Sequence, residues 1–209
     1  MFSYLPIIGI VVGGVAGFAA YGLSLAGWTP LAIAAAFSLP IVLTGALHVD
    51  GFLDSCDALF ACVDPEQRQR IMKDPTHGTF AIAYFAVLVA VWIAALSSLS
   101  PHAFPAALAF AGGAARWAAS FNVLRYSYAG AEKFSAVALV VNGVLLVALS
   151  FAVGHWAWIE LAILAVLMLG VGRWAAGRLN GVLSGDVYGA LIVLGEVATL
   201  VGCAVLYAR

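Results

Sequence analysis

The sequence predicts an all-α integral membrane protein with about seven transmembrane helices and a short cytosolic amphipathic helix between spans two and three. Of its 209 residues, 65% are hydrophobic and only 9% are charged, and the mean hydropathy is +1.08. These values lie outside the range of soluble globular proteins. The charged residues are also grouped, because long charge-free stretches alternate with short segments that hold Lys and Arg. We therefore treat residues 1–209 as a single transmembrane domain.

The charge-free stretches define the predicted spans. Residues 1–49 and 75–115 contain no Asp, Glu, Lys or Arg, and each stretch accommodates two spans of about 20 residues. Turns are predicted at residues 27–30 and 97–105, where Gly, Pro and Ser collect. The remaining predicted spans are residues 134–153, 156–173 and 187–207.

The basic residues predict the orientation of the chain, because cytoplasmic loops retain Lys and Arg. All of them except the last residue fall in or beside three loops, between spans two and three, four and five, and six and seven. They are Arg68, Arg70, Lys73, Arg116, Arg125, Lys133, Arg173 and Arg178. The three loops share one side, so we expect the amino terminus and these loops in the cytosol and Arg209 outside.

An acidic cluster follows the first charge-free stretch. Asp50, Asp54 and Asp57 are offset by four and seven residues, which places them on one face of a helix. Three negative charges on one stripe repel each other unless a cation lies among them. Helix-dipole stabilisation explains one such aspartate but not three. We predict a metal site, with Mg²⁺ as the ion because it prefers oxygen ligands and bridges carboxylates to phosphates.

A polar segment with basic residues comes next. Asp64 is predicted to cap a short helix that has Pro65 at its first position. Arg70, Lys73 and Asp74 follow on neighbouring faces, and cations beside a metal-binding face suit a diphosphate. The alternative is a solvated amphipathic segment at the membrane surface. We predict that at least one of these residues contacts phosphate.

A second polar segment precedes the last span. Asp186 is predicted to complete the metal site from a different helix. Ser184 or Asn180 is placed to hydrogen-bond a substrate, and Arg178 lies in the same segment as a further predicted substrate contact. The alternative for Asp186 is a simple helix cap.

Four ionisable residues complete the candidate set. Glu196 lies inside the last span, where an unpaired carboxylate is costly, so we expect it to be protonated, paired with Arg116 or Arg173, or lining a cavity. Arg116 either snorkels to the interface or binds substrate. His48 and His77 flank the acidic segment and are candidate general bases, against the alternative of hydrogen-bonded bystanders.

Together these motifs resemble the cobalamin synthase family, the adenosylcobinamide-GDP ribazoletransferases. The resemblance covers nearly the whole chain and is carried by residues 44–58, 70–74, 78–80 and 183–190, with Glu196. Many members have Ser-Arg, an aliphatic residue and glycine after Lys73-Asp74, whereas this chain has Pro75, Thr76, His77 and Gly78. We therefore expect His77 to change how a diphosphate is held.

The resemblance implies a catalytic domain of the cytoplasmic (inner) membrane whose site faces the cytosol. Its substrates would be adenosylcobinamide-GDP and α-ribazole or α-ribazole 5′-phosphate, with Mg²⁺ as cofactor, GMP as leaving group and no nucleic acid as partner. Asp50, Asp54 and Asp57 would neutralise the diphosphate, and one carboxylate or histidine, such as His48, would accept the hydroxyl proton. Apolar surface is left for lipid or a second copy of the chain.

Three other functions remain open from the sequence. A CDP-alcohol phosphotransferase also clusters aspartates in a membrane fold, but the Ala-Arg and longer spacing expected there are absent from residues 50–57. A polyprenyl transferase usually has two aspartate-rich motifs. A non-enzymatic metal or corrinoid transporter predicts polar residues throughout the spans, whereas here they gather on one side.

Overall fold

The computed structural model describes residues 2–126, 135–154 and 157–207, and these residues are helical with connecting turns. The described residues contain no β-strand, and a short 3₁₀ helix precedes each of α1 and α6. The α-helices are α1 (Leu5–Leu25), α2 (Thr29–Leu43), α3 (Leu47–Phe60), α4 (Pro65–Ile71), α5 (Thr79–Ser98), α6 (Phe104–Arg125), α7 (Ala136–Val153), α8 (Ala157–Arg178) and α9 (Gly185–Tyr207).

Several of these helices are long and apolar enough to cross a membrane, which confirms the predicted class. Within the described residues these are the five helices α1, α5, α7, α8 and α9. The pair α2 and α3 meets the same condition together but bends by 87° at the break between them. The predicted count of seven spans is not confirmed. Lys133 and Arg209, used for the predicted orientation, lie outside the described residues.

Helix α6 explains part of the difference from the predicted count. It lies at the centre of the bundle, in contact with α1, α7, α8 and α9, and most of its residues are buried. A helix surrounded by protein does not need the apolar surface of a lipid-facing span. Its face is accordingly rich in Ala and Gly, and it carries the polar side chains of Arg116, Ser120 and Asn122.

Three glycines bring α1 against α6. Gly9, Gly13 and Gly17 recur every fourth residue and are buried on one face of α1. A methyl group at Gly9 would overlap the Gly112 carbonyl, and one at Gly13 would overlap the Leu108 carbonyl. Small residues at this spacing let helix backbones approach closely in membranes.

We expect Gly13→Ala to lower the free energy of unfolding in detergent by about 1–3 kcal/mol, because the added methyl separates the two backbones. Gly22→Ala is the matched control on the same helix, since a methyl there meets no atom within 4 Å. It should leave stability unchanged or raise it, because Ala favours helix. Equal unfolding midpoints for the two variants would contradict the close packing of α1 on α6.

A left-handed turn directs α3 away from α2. Gly45 has φ 61° and Ala46 has φ 59°, and the Ala46 backbone N–H bonds the Ile41 carbonyl at 2.8 Å. After this turn α3 packs mainly on α9 and α5. The turn therefore sets the predicted acidic helix across one end of the bundle, beside the amino-terminal ends of α5 and α9.

Candidate functional site

The acidic cluster is built on α3, where Asp50 and Asp54 lie one turn apart. His77, from the segment before α5, lies between them: its Nε2 is 3.8 Å from Asp50 Oδ1 and its Nδ1 is 3.4 Å from Asp54 Oδ1. The side chain of Asp50 is 64% exposed, that of Asp54 is 14% exposed and that of His77 is 33% exposed. The cluster thus runs from solvent into the edge of the bundle.

Asp186 lies near this cluster, in the first turn of α9, and its predicted role as a metal ligand stays a prediction. A methyl group at Gly51 would lie 2.7 Å from the Asp186 carbonyl oxygen, so only a glycine on α3 permits this approach of the two helices. Asp186 is close enough to Asp54 for their charges to interact. Ser184 caps α9 by accepting a 3.4 Å hydrogen bond from the Val187 N–H.

The carboxylates on α3 and α9 offer oxygen donors to a hard cation. Within the described residues, no group of three or more His, Cys, Asp or Glu side chains is placed so that it could hold a metal ion by itself. Mg²⁺ usually takes one or two protein carboxylates and completes its shell with water and substrate phosphates. Asp50 and Asp54, with Asp186 nearby, therefore fit an ion that is held jointly with a phosphorylated substrate.

Asp57 has a different environment from the other two aspartates. Its Oδ2 accepts a hydrogen bond of 2.5 Å from the Gly78 N–H, and its Oδ1 accepts one of 3.0 Å from the Ala81 N–H. These bonds satisfy free donors at the amino-terminal end of α5 and place a negative charge at its dipole. Asp57 thereby fixes α5, and with it the segment that carries His77, against α3. Its metal-ligand role stays a prediction.

Arg116 lies inside the bundle with a side chain only 1% exposed. Its Nη1 donates to Glu196 Oε1 at 2.6 Å and to the Gly112 carbonyl at 2.8 Å, and its Nη2 is 3.3 Å from His48 Nδ1. Of the expectations for Glu196, pairing with Arg116 is confirmed. Substrate contact by either residue stays a prediction.

The same contact constrains His48. A guanidinium can only donate hydrogen bonds, so His48 Nδ1 is the acceptor and the ring proton lies on Nε2. A role for His48 as proton acceptor stays a prediction.

The predicted cap of α4 is confirmed, since Asp64 Oδ1 accepts a 2.7 Å bond from the Gln67 N–H. Arg70 and Lys73 are exposed. Arg68, which was not singled out, donates to the carbonyls of Ala58 and Leu59 at 2.7 and 2.9 Å and so ties α4 to the end of α3.

Asp74 and Arg178 are engaged within the chain. Asp74 Oδ1 accepts bonds from the Thr76 hydroxyl at 2.6 Å and the Thr76 N–H at 2.9 Å. These bonds, first the side-chain one and then the backbone one, lower the pKa of Asp74 below its ordinary value. They shape the turn that leads to His77. Arg178 lies over the ring of Trp174, with 4.2 Å from Cζ to the ring centroid. Phosphate or substrate contact by Arg70, Lys73, Asp74, Arg178 and Ser184 stays a prediction.

His77 is a site residue that the sequence marks only weakly. Its only signals were its position after the acidic segment and its departure from the family pattern. The structure brings it to Asp50 and Asp54 because Asp57 anchors the start of α5 one residue later.

Comparison with known proteins gives a consistent result along the chain. The sequence profile of the family described as cobalamin-5-phosphate synthase matches residues 1–204. A protein of Desulfitobacterium hafniense named adenosylcobinamide-GDP ribazoletransferase is 34% identical over 95% of this chain and 84% of its own length. Proteins of the same name from Deinococcus radiodurans and Klebsiella pneumoniae are 37% and 32% identical, over 95% and 93% of this chain and 73% and 83% of their own lengths. No solved structure matches this chain.

Proposed function

Because the chain belongs to the cobalamin-5-phosphate synthase family, we propose that it joins α-ribazole, or α-ribazole 5′-phosphate, to adenosylcobinamide-GDP and releases GMP. The observation that carries this proposal is the set of Asp50, Asp54 and Asp186 with His77 at one end of the bundle, in a chain whose relatives bear that name. Neither CDP-alcohol transfer nor transport is favoured by these relatives.

The proposed reaction is a phosphoryl transfer. A ribose hydroxyl of the nucleoside attacks the phosphorus attached to cobinamide, a new oxygen–phosphorus bond forms, and the bond to GMP breaks. Asp50 and Asp54, with Asp186 nearby, would hold Mg²⁺ together with the diphosphate of the substrate. When bound, this ion would neutralise the diphosphate and the charge that develops on the leaving phosphate.

The side chains of the site would accept the proton, hold the site together and bind the leaving group. Asp50, Asp54 and His77 are the groups at the acidic face able to accept the hydroxyl proton, because His48 Nδ1 is already bonded to Arg116. Asp57 holds the start of α5, and with it the segment that carries His77, against α3. The exposed cations Arg70 and Lys73 would bind the phosphate of the leaving GMP.

We further propose that the site faces the cytosol from the cytoplasmic membrane. Helix α4, the segment that follows it and the carboxyl-terminal end of α8 carry Arg68, Arg70, Lys73, Arg173 and Arg178, and a basic excess favours the cytosolic side. With α6 and the bent pair α2 and α3 added to the five apolar helices, seven crossings would put the two ends of the chain on opposite sides.

The direct test is GMP release from adenosylcobinamide-GDP and α-ribazole 5′-phosphate by the purified protein in liposomes. We expect GMP and a cobalamin product with Mg²⁺, none with EDTA, and a much lower rate with Ca²⁺ because Mg²⁺ imposes a tighter octahedral geometry. Equal rates with Mg²⁺ and Ca²⁺ would contradict a catalytic Mg²⁺. Folded protein that transfers CDP-alcohols instead, or carries Mg²⁺ or cobinamide across the membrane without forming product, would contradict the proposed reaction.

A further inference from the structure

A long apolar cleft lies between α5 and α8. Both helices pack on α9 but make little contact with each other, and the space between them has a volume of about 800 Å³. Leu191 and Val187 of α9 form its buried floor. Val87 of α5 and Val166 of α8, on its walls, are 61% and 72% exposed. The cleft therefore opens sideways, toward the bilayer.

The length of the cleft matches one leaflet. Its lining on α9 runs from Val187 to Val197 and on α8 from Val166 to Ala175. At the rise of an α-helix the longer run covers about 15 Å, which is half of a hydrocarbon core of about 30 Å. A compact aromatic base would fill only a part of such a slot, whereas an extended acyl chain fits its length.

The lining is unsuitable for water. Apart from Ser55, Cys56 and its aromatic residues, the cleft is walled by aliphatic side chains, and water needs several polar partners to be stable in a cavity. Leaving the space empty would forfeit dispersion contacts on all its walls. In a bilayer, the ligand present at high concentration that satisfies both conditions is a lipid chain.

The end of the cleft nearest the acidic site has the character of a membrane interface. Phe60 stacks on Tyr84 at 4.3 Å and lies 5.3 Å from Trp174, and aromatic residues are enriched at the headgroup level. Arg178 lies over Trp174 at this end. Among the described residues, no carboxylate forms an ion pair with Arg178. The guanidinium is thus positioned for an anionic headgroup.

Ser55 supplies a second polar group at that end. It is 2% exposed on the underside of α3, and its hydroxyl has no hydrogen-bond partner among the described residues. A buried hydroxyl without a partner is costly. The ester carbonyl of a lipid whose chain enters the cleft is an acceptor at the appropriate depth.

From these observations we propose that the cleft between α5 and α8 is a binding site for one anionic phospholipid, with an acyl chain along α9 and its phosphate at Arg178. The site is separate from the acidic face, because α3 stands between the cleft and Asp50 and Asp54. In this proposal the ligand of Arg178 is the phosphate of the lipid.

The test is native mass spectrometry of protein taken from vesicles of equal phosphatidylglycerol and phosphatidylcholine. We expect one retained phosphatidylglycerol. Gly170→Leu should lower its retention about tenfold, because the new side chain takes the place of part of the acyl chain. A methyl at Gly170 meets no atom within 4 Å, so the variant should fold. Gly177→Leu on the same helix is the matched control, with an equally open position outside the cleft.

Arg178→Gln distinguishes binding of the lipid headgroup from binding of the acyl chain. It should abolish the preference for phosphatidylglycerol over phosphatidylcholine while leaving a lipid in the cleft. Equal retention by wild type and Gly170→Leu, or no preference between the two lipids in the wild type, would overturn the proposal. So would unchanged lipid retention in Gly170→Leu combined with a raised KM for α-ribazole, which would identify the cleft as the nucleoside site. Lipid retention needs no turnover, so a failure of the proposed reaction would be seen separately.

Discussion

Asp54→Asn is expected to lower the rate of GMP release by about a hundred- to a thousandfold while the protein stays folded. Asn keeps the shape of the side chain and one acceptor oxygen, but it removes the charge. Asp54 lies 3.4 Å from His77, and its charge interacts with those of Asp50 and Asp186. The measurement is GMP release at saturating substrates, with the unfolding temperature in detergent measured alongside.

Asp64→Asn is the matched control for this substitution. Asp64 caps α4 through the Gln67 N–H, and Asn caps a helix about as well as Asp. Its rate should remain close to that of the wild type. A near-normal rate for Asp54→Asn would show that the acidic cluster takes no part in the reaction.

Asp57→Asn distinguishes a ligand from a structural carboxylate. Both Asp57 oxygens accept backbone N–H bonds at the start of α5, and an amide can accept through only one atom. We therefore expect a loss of stability together with a loss of activity, in contrast to Asp54→Asn. Activity lost with an unchanged unfolding temperature would favour Asp57 as a direct metal ligand.

The sequence predicts that Asp50, Asp54 and Asp57 share one face of a helix, because residues three or four positions apart lie on the same side of an α-helix. The cap at Asp64 was readable for the same reason, since a cap depends on residues three positions away. The sequence did not predict that Asp57 has a different environment from the other two aspartates. That environment depends on where the first turn of α5 docks, which no local pattern of α3 specifies.

Long-range contacts account for the other differences. Pairing of Glu196 with Arg116 was one of several outcomes consistent with the sequence, because 80 residues separate the two. The place of His77 depends on a loop without periodicity, held by the Asp74 turn and by α5. The predicted count of seven spans is not confirmed at α6, because burial in protein and burial in lipid favour different helix surfaces and a hydropathy pattern does not distinguish them.

The Arg116–Glu196 pair should contribute the largest single effect on stability. Arg116→Met is expected to lower the free energy of unfolding by about 3–5 kcal/mol, because it leaves the Glu196 carboxylate buried without its partner. Arg173→Met is the matched control, since Arg173 is exposed near the end of α8 and surface substitutions usually change stability by less than about 0.5 kcal/mol. Chemical unfolding in mixed micelles gives both values.

The double variant Arg116→Met, Glu196→Leu distinguishes the effect of the buried charges on stability from their effect on activity. Replacing both partners removes the buried charges together, and such replacements are often neutral or stabilising, so most of the lost stability should return. Activity should not return, because His48 has also lost the donor that fixes its Nδ1. Restored stability with restored turnover would show that Arg116 only balances Glu196. Restored stability with low turnover would show that the pair also orients the first turn of α3, two residues before Asp50.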